Sequence, residues 1–511
     1  MPLRSELDDG GGRVTERSAP QGRKWIAPIA LIIVAVWIIG INPVGFVGGG
    51  ADDAEYLKAV RCWVAAGEPC LAQNHWMSRW PIIAPIALIT GLFGESRTTV
   101  AAAPFAYACA TLALLVMIGN RLFGRPSGYI AAAALVLTPA FAIQTLQPTA
   151  DGTELAWLMA SFAGALMAYD RRSWRWALAS GLALGVAAQT RDTSLAMFPI
   201  AVFAVGMLVR AGRREMLWML AAMVLPMAVE ALTYWAVAGD PLWRFRLSLG
   251  HINIPSAELP DGFDTSQSPL FNPHYIAGWR REAGVSVFWP IDPWLNLLTG
   301  FRLGVNLWAA MLLGLLFAGR FLEPQSRRLL ALLIGGALIY SCALVYGLAI
   351  DPKARMFFVF ASASSLAIGA LGMRAWRGDG RLGVVTIAAA LVPFASLIVA
   401  IQNQSRSSER AVASWMSQYQ SQVEVDRGSR TYLMLVNGLD QLPDRGSGRP
   451  LLIAKAPAYC DEYVRPEPGK PAKAIVVAKQ QMGGIKSVNS RTISEMCLVR
   501  YAPSYRPPPG S

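Results

Sequence analysis

Residues 98–146 read TTVAAAPFAYACATLALLVMIGNRLFGRPSGYIAAAALVLTPAFAIQTL. Two apolar runs, 98–120 and 127–146, are joined in this stretch by a short connection that carries Arg121 and Arg125. A helix of about 20 apolar residues crosses the roughly 30 Å core of a bilayer. Because basic residues collect in cytoplasmic connections, the stretch predicts two membrane spans joined on the cytoplasmic side.

The same pattern extends along the chain and gives about eleven spans. The nine further apolar runs are 25–47, 152–169, 177–190, 193–209, 216–238, 296–319, 329–349, 357–373 and 382–401. Alternate connections carry arginines: Arg121/Arg125, Arg171/Arg172/Arg175, Arg210/Arg213/Arg214, Arg320/Arg327/Arg328 and Arg374/Arg377/Arg381. The alternation predicts a cytoplasmic tail (1–24) before an uncleaved first span, and it places on the far, exported side residues 48–97, 147–151, 191–192, 239–295, 350–356 and everything after about 402. The fold class is therefore a polytopic α-helical membrane protein.

The composition agrees with this class. Of the 511 residues, 54% are hydrophobic and 15% are charged, against about 25% charged residues in soluble domains. These values exclude a water-soluble multidomain enzyme and a disordered or fibrous chain. The net charge of +13 comes from basic residues in the connections, so it is a signal of topology and does not support nucleic-acid binding.

The first exported loop (48–97) begins with three glycines and then Asp52, Asp53 and Glu55. From Asp53 to Ala66 the pattern predicts an amphipathic helix in the plane of the interface. Its apolar face would hold Tyr56, Leu57, Val60, Trp63 and Val64, with Glu55, Lys58 and Arg61 elsewhere. One aspartate at the start of such a helix can equally be a simple N-cap.

The same loop continues with His75, Trp76, Arg79 and Trp80, followed by the apolar run Pro81 to Phe93. That run is too short to cross a bilayer, so we expect a re-entrant or interfacial helix. The imidazole, the arginine and the two indoles could hold an anionic lipid headgroup. Alternatively, the tryptophans anchor the interface and Arg79 reaches toward water along it.

Residues 402–511 differ in character from the apolar part of the chain. Short segments at Thr431–Val436, Pro450–Ala454 and Ala474–Ala478 have the pattern of strands. We therefore expect a small exported α+β domain of about 100 residues.

The cysteines fit the predicted topology. Cys62 and Cys70 fall in the first exported loop, and Cys460 and Cys497 fall in the exported C-terminal region. Two pairs on an oxidising side predict two disulfides; free structural thiols are the alternative.

Residues 25–93 follow a recognisable order of an apolar span, an acidic pair, an amphipathic segment, a basic-x-Pro element and a short apolar helix. This order resembles the first exported loop of the GT-C-type glycosyltransferases, in particular the branch with protein O-mannosyltransferases and the lipid A aminoarabinose transferase. Similar short motifs follow on the same predicted side, at Leu137 to Asp151, Gln189 to Thr193 and Asp351 to Arg355. The resemblance predicts a transmembrane glycosyltransferase domain over 25–401 and does not extend to 402–511.

The resemblance implies an enzyme that moves a sugar, with inversion, from a polyprenyl-phosphate carrier to a hydroxyl of a glycan, lipid or protein. It implies that Asp52 is the general base and that Asp53 orients the acceptor or supports Asp52. The implied substrate-binding residues are Arg79, Arg191 and Arg355, which would meet the phosphate charge, together with Asp151 and His75. No cofactor is expected, since a divalent metal is possible but no ligand cluster supports one. The Ala/Arg/Gly-rich composition suits a bacterial plasma membrane, with the active side in the periplasm.

Three alternatives stay open at this stage. Each arginine can instead be an ion-paired or interfacial residue. Glu230, within the span 216–238, can bond to Thr233 or to backbone in the bundle interior, and we do not assign it to catalysis. The whole chain can be a secondary transporter or lipid flippase, or else a non-catalytic membrane scaffold.

Overall fold

The structure is a computed structural model that describes residues 51–197, 213–252, 280–282, 285–287, 324–344, 357–377, 380, 383–384, 407–419, 422–425, 448–456, 460–464, 474–481 and 495–502. The spans predicted at 25–47 and 296–319, nearly all of 382–401, and Arg355 lie outside these residues. The count of eleven spans therefore stays a prediction.

The first part of the chain is a succession of helices. These are α1 (Ala51–Ala66), α2 (Trp80–Phe93), α3 (Arg97–Phe123), α4 (Ser127–Val136), α5 (Pro139–Gln144), α6 (Ala150–Arg171) and α7 (Trp174–Thr190). A 3₁₀ helix (Asp192–Met197) follows, and then α8 (Arg213–Ala238), α9 (Trp243–Ile252), α10 (Pro324–Cys342) and α11 (Phe358–Trp376). Among the described residues, three helices are long and apolar enough to cross a membrane: α3, α8 and α11.

The span predicted at 127–146 differs from the structure, which divides it into α4 and α5. Helix α4 ends at Val136, and α5 begins at Pro139. Proline has no N–H for a hydrogen bond within a helix and favours the first helical position. The residues on both sides of the break are apolar, so the hydropathy pattern predicted one continuous span.

The described connections contact one another in the two groups that the arginine alternation predicts. At one end Arg121, in the last turn of α3, pairs with Asp170, in the last turn of α6. At the other end the indole N–H of Trp80 donates to Oε1 of Gln189 at 3.3 Å. The grouping of the loops thus agrees with the predicted alternation. Which group faces the periplasm stays a prediction.

Small residues let the helix backbones approach closely. A Cβ placed on Gly128 of α4 would lie 2.1 Å from the carbonyl oxygen of Val116 in α3. A Cβ on Gly181 of α7 would lie at the same distance from the carbonyl oxygen of Met219 in α8. Both contacts tie neighbouring helices into the bundle that positions the loops.

The first exported loop folds as two packed helices. Tyr56, Leu57 and Val60 of α1 are buried against isoleucines of α2, as the predicted apolar face requires. Two positions differ from the prediction. Val64 is exposed near the end of α1, and Glu55 is buried because its carboxylate accepts hydrogen bonds from Lys58 and Asn74.

Both predicted disulfides are present, linking Cys62 to Cys70 and Cys460 to Cys497. The first links Cys62, near the end of α1, to the segment that follows this helix.

The described C-terminal residues contain α12 (Ser407–Tyr419), α13 (Cys460–Tyr463), β3 (Val423–Val425), β4 (Leu451–Ala456), β5 (Ala474–Gln481) and β6 (Glu495–Tyr501). The four strands form a mixed sheet in the order β3-β4-β6-β5, in which β3 and β4 are parallel. Two predicted strands thus coincide with β4 and β5, and the third, Thr431–Val436, lies outside the described residues. A short hairpin, β1 (Arg280–Glu282) and β2 (Val285–Val287), occurs in the 239–295 loop.

Candidate functional site

Arg79 is the residue from which helix α2 starts. It is the N-cap of α2, and a proline in the first turn fixes the direction of the helix. Its Nη1 donates to the hydroxyl oxygen of Tyr56 at 2.5 Å, and its guanidinium carbon lies 6.0 Å from the centroid of that ring. Within the described part of the chain, no carboxylate forms an ion pair with Arg79. Its positive charge is therefore held beside a phenol.

Tyr56 connects Arg79 to the start of α1. Positions 52 and 53 lie in the first turn of α1, one helical turn before Tyr56. The described structure gives the backbone at these two positions and no side-chain placement. The predicted base thus belongs to the helix that carries the partner of Arg79.

Arg191 lies in a different environment from Arg79. It follows α7, its side chain is 8% exposed, and its Nη1 lies 2.5 Å from Oδ1 of Asp151 and 3.8 Å from Oε2 of Glu154. Both carboxylates come from the first turns of α6. Arg191 is therefore enclosed by two negative groups.

The charge on Arg191 is strongly favoured. Burial opposes it, but the Asp151 carboxylate outweighs burial and, together with the Glu154 carboxylate, raises the pKa of Arg191. The indole N–H of Trp80, next to Arg79 in the chain, donates to Oε1 of Gln189, two residues before Arg191. Arg79 and Arg191 therefore lie in one region of the structure.

Glu154 belongs to the same buried polar cluster, and the sequence analysis missed it. Its Oε1 accepts from Ser194 Oγ at 2.5 Å, from Tyr340 OH at 2.7 Å and from Thr193 Oγ1 at 3.4 Å. A carboxylate inside the predicted span 152–169 is itself a signal of a polar site at membrane depth. That signal could have found Glu154, whereas its partner Tyr340 is 186 residues away in the chain.

Arg244, near the start of α9, forms a second buried network. It lies 3.1 Å from Glu230 Oε1 and 3.1 Å from Asp192 Oδ1. Burial lowers the pKa of Arg244, but Asp192 and Glu230 outweigh this and raise it. The Glu230 carboxylate therefore pairs with Arg244, and the hydroxyl of Thr233 instead donates to the carbonyl oxygen of Val229.

His75 lies in the turn before α2. Its ring centroid is 3.8 Å from that of Trp76, and its carbonyl oxygen accepts from Ser78 Oγ at 2.8 Å. The residue is buried, so these contacts shape the turn that presents Arg79.

An apolar cavity begins one helical turn along α6 from Glu154. Its lining comes from α6, α7, α10, α11 and the 3₁₀ helix, and includes Leu158, Phe162, Leu184, Met197, Leu333 and Val359. The buried polar groups around Glu154 thus border an apolar space.

The three arginines of this region lie in two kinds of environment. Arg191 and Arg244 each face two carboxylates, so their charges are already neutralised. Arg79 faces a phenol and is the arginine of the three best placed to attract the anion of a ligand. Among the described residues, no group of three or more His, Cys, Asp or Glu side chains could hold a metal ion. Independence from metal stays a prediction.

A family model described as dolichyl-phosphate-mannose-protein mannosyltransferase matches residues 81–235, which is less than half of the chain. This match confirms the predicted resemblance to the GT-C group. No curated protein matches the sequence significantly.

Solved structures resemble the whole fold. ArnT from Cupriavidus metallidurans in the apo state has a TM-score of 0.53 and 15% identity, over 94% of this chain and 98% of that one. The same protein bound to undecaprenyl phosphate has a TM-score of 0.52 and 15% identity, over 95% and 99%. At this identity the likeness shows the fold alone, a membrane fold of the GT-C type.

A more distant match is the oligosaccharyltransferase AglB from Archaeoglobus fulgidus, in complex with an inhibitory peptide and a dolichol-phosphate. Its TM-score is 0.48 at 12% identity, and the match covers 82% of this chain and 64% of AglB. The chain thus spans less than two thirds of the length of AglB.

Proposed function

We propose that the protein is an inverting glycosyltransferase. It moves a sugar from a polyprenyl-phosphate carrier to a hydroxyl of a glycan, lipid or protein acceptor. The reaction takes place at the periplasmic face of the bacterial plasma membrane. The family match over 81–235 and the GT-C-type fold support this reaction class.

The observation that carries the proposal is the environment of Arg79. A partly buried arginine whose described contact is a phenol, at the end of the bundle where the predicted exported loops meet, suits the phosphate of a lipid carrier. The lining of the cavity that borders the Glu154 cluster is apolar, which agrees in chemistry with an isoprenoid chain. ArnT, which has the same fold, binds undecaprenyl phosphate.

In the proposed reaction the acceptor oxygen attacks C1 of the sugar from the face opposite the phosphate. The bond from C1 to the phosphate oxygen breaks, and the electron pair leaves with the polyprenyl phosphate. Asp52 takes the acceptor proton as general base, and Asp53 supports it. Arg79, with Arg355, stabilises the negative charge of the leaving phosphate.

Arg191 and Asp151 then have a supporting function, which modifies their predicted role. Their mutual pair, 2.5 Å long, fixes the connection after α7 against the start of α6. They hold the wall of the site beside Tyr56.

The experiment compares polyprenyl-phosphate-linked sugars in lipid extracts of cells that lack the gene and carry a plasmid copy. We expect cells with the wild-type copy to consume one such sugar, and cells with Asp52→Asn or Arg79→Ala to accumulate it. Arg121→Ala, which alters an exposed ion pair at the other end of the bundle, is the matched control and should behave as wild type. An identical lipid pool in wild-type and Asp52→Asn cells, at equal protein level, would overturn the proposal.

A further inference from the structure

The side chain of Arg244 contacts residues that are far from it in the chain, in two other connections. It lies at the second position of α9, in the 239–295 loop, yet its side chain is only 11% exposed. Beyond Asp192 and Glu230, its Nη1 donates to Gln189 Oε1 and to the carbonyl oxygen of Ser78, each at 3.2 Å. Its Nη2 donates to the carbonyl oxygen of Ala188 at 3.2 Å.

These partners are the chain neighbours of the two arginines in the candidate site. Ser78 directly precedes Arg79, and Asp192 directly follows Arg191. Gln189 contacts both segments, since its Oε1 also accepts from the Trp80 indole at 3.3 Å. One guanidinium thus joins the backbone before Arg79 to the backbone of Ala188, before Arg191, and to the side chain of Asp192, after it.

The charges around Arg244 argue against a direct contact with an anionic substrate. Two carboxylates already surround it, and an incoming phosphate would meet their negative field as well as the guanidinium. An arginine carries five N–H donors in a rigid planar arrangement, so it can bind several acceptors at once. The contacts of Arg244 are therefore those of a residue that holds segments of the protein together.

We propose that Arg244 is a positioning residue that sets the distance between Arg79 and the Arg191–Asp151 pair, and so determines how tightly the site holds the carrier phosphate. This inference rests on the proposed function for its consequence on substrate binding. Its structural part, the coupling of residues 78–80 to residues 188–192 by α9, stands independently.

The variants must avoid leaving a buried charge alone. Removing Arg244 by itself would leave the Glu230 carboxylate buried without its counter-charge, which is strongly destabilising. We therefore use the double variant Arg244→Gln/Glu230→Gln together with Arg244→Lys, which keeps one charge and loses the fork. Arg246→Ala is the matched control, because Arg246 is two residues further along α9, is 71% exposed and pairs with Asp240.

The first measurement is hydrogen–deuterium exchange of the detergent-purified full-length protein. In the double variant we expect about tenfold faster exchange in peptides covering both 76–82 and 187–194, and unchanged exchange in α6. Arg246→Ala should exchange as wild type does. Unchanged exchange in both segments, or faster exchange in only one of them, would overturn the coupling.

The second measurement is the Kd for undecaprenyl phosphate. The loss of one hydrogen bond between a charged donor and a phosphate weakens binding by about tenfold or more. We therefore expect the double variant, in which Arg79 is displaced, to bind at least about tenfold more weakly and Arg244→Lys to lie between. A residue with a purely structural function would lower the unfolding temperature and leave the Kd of the folded protein unchanged, and that result would overturn the inference. If the wild type itself does not bind the lipid, the proposed function fails, and the exchange measurement still decides the coupling.

Discussion

Arg79 and Arg191 are the same residue type at the same end of the bundle, and they have different neighbours. Arg79 has Tyr56 as its described partner. Arg191 is buried between Asp151 and Glu154. An arginine whose charge is neutralised by nearby carboxylates stabilises the fold. An arginine with no carboxylate beside it can bind an anionic ligand. This difference leads to a prediction at the scale of single residues.

Arg191→Ala leaves the Asp151 and Glu154 carboxylates buried without their cation. Breaking a buried pair in this way costs about 3–5 kcal/mol, so we expect a large fall in the unfolding temperature of the purified protein in detergent. Arg79→Ala loses one hydrogen bond, to Tyr56, which costs about 0.5–1.5 kcal/mol, and it should abolish binding of undecaprenyl phosphate. If Arg79→Ala instead proves less stable than Arg191→Ala, the assignment of the two arginines is wrong.

Sequence reasoning reached some residues of the site and missed others for a physical reason. Asp151, Arg191 and Arg79 were found because each lies in a predicted exported connection and within a motif that resembles the GT-C family. Arg244 was missed because its partners are up to 166 residues away in the chain. Pairing of that kind depends on how helices pack, which local patterns do not contain.

At the scale of the helices, the loops are held in place by close backbone contacts. Helices α7 and α8 approach at Gly181, and the site residues Gln189 and Glu230 belong to these same two helices. Local sequence predicted where these helices run, but the run 127–146 also shows the limit of hydropathy. Hydropathy is averaged over a window of residues, and this average does not reflect the backbone N–H that a single proline lacks. The break before Pro139 was therefore not predicted.

Gly181→Ala tests the close contact between α7 and α8. The new Cβ would lie 2.1 Å from the carbonyl oxygen of Met219, and overpacking of this kind costs about 1–3 kcal/mol. We expect a lower unfolding temperature and weaker binding of undecaprenyl phosphate. Gly335→Ala is the matched control, since a Cβ there meets no atom within 4 Å, and it should be neutral or slightly stabilising. Equal stability of the two variants would contradict the packing described.

At the scale of the whole molecule, the described connections fall into two groups, one at each end of the bundle. The positive-inside rule predicts that the group with the basic residues faces the cytoplasm and that Arg79, Arg191 and Arg244 face the periplasm. This orientation can be predicted from sequence because the distribution of charge along the chain is a global signal. The identity of the sugar and of the acceptor depends on pocket shape, which charge distribution does not encode.

The orientation is tested by labelling introduced cysteines with a membrane-impermeant maleimide. Lys58 of α1 is 51% exposed, and we expect Lys58→Cys to react in intact spheroplasts. Arg172, in the exposed connection after α6, should react as Arg172→Cys only after lysis. Both variants are made in a background in which the free Cys109 and Cys342 are replaced by serine. The opposite labelling pattern would reverse the topology and place the site in the cytoplasm.

Native mass spectrometry of the detergent-purified protein tests the central claim most directly, with wild type beside the Arg79→Ala/Arg355→Ala variant. We predict that wild type retains a polyprenyl phosphate, with or without its sugar, that the variant loses it, and that the mass identifies the class of sugar. An Arg61→Ala variant, which removes the partner of the exposed Glu95, should retain the lipid. If wild type carries no such lipid, even after undecaprenyl phosphate is added, the glycosyltransferase account is contradicted and a transporter or scaffold takes its place.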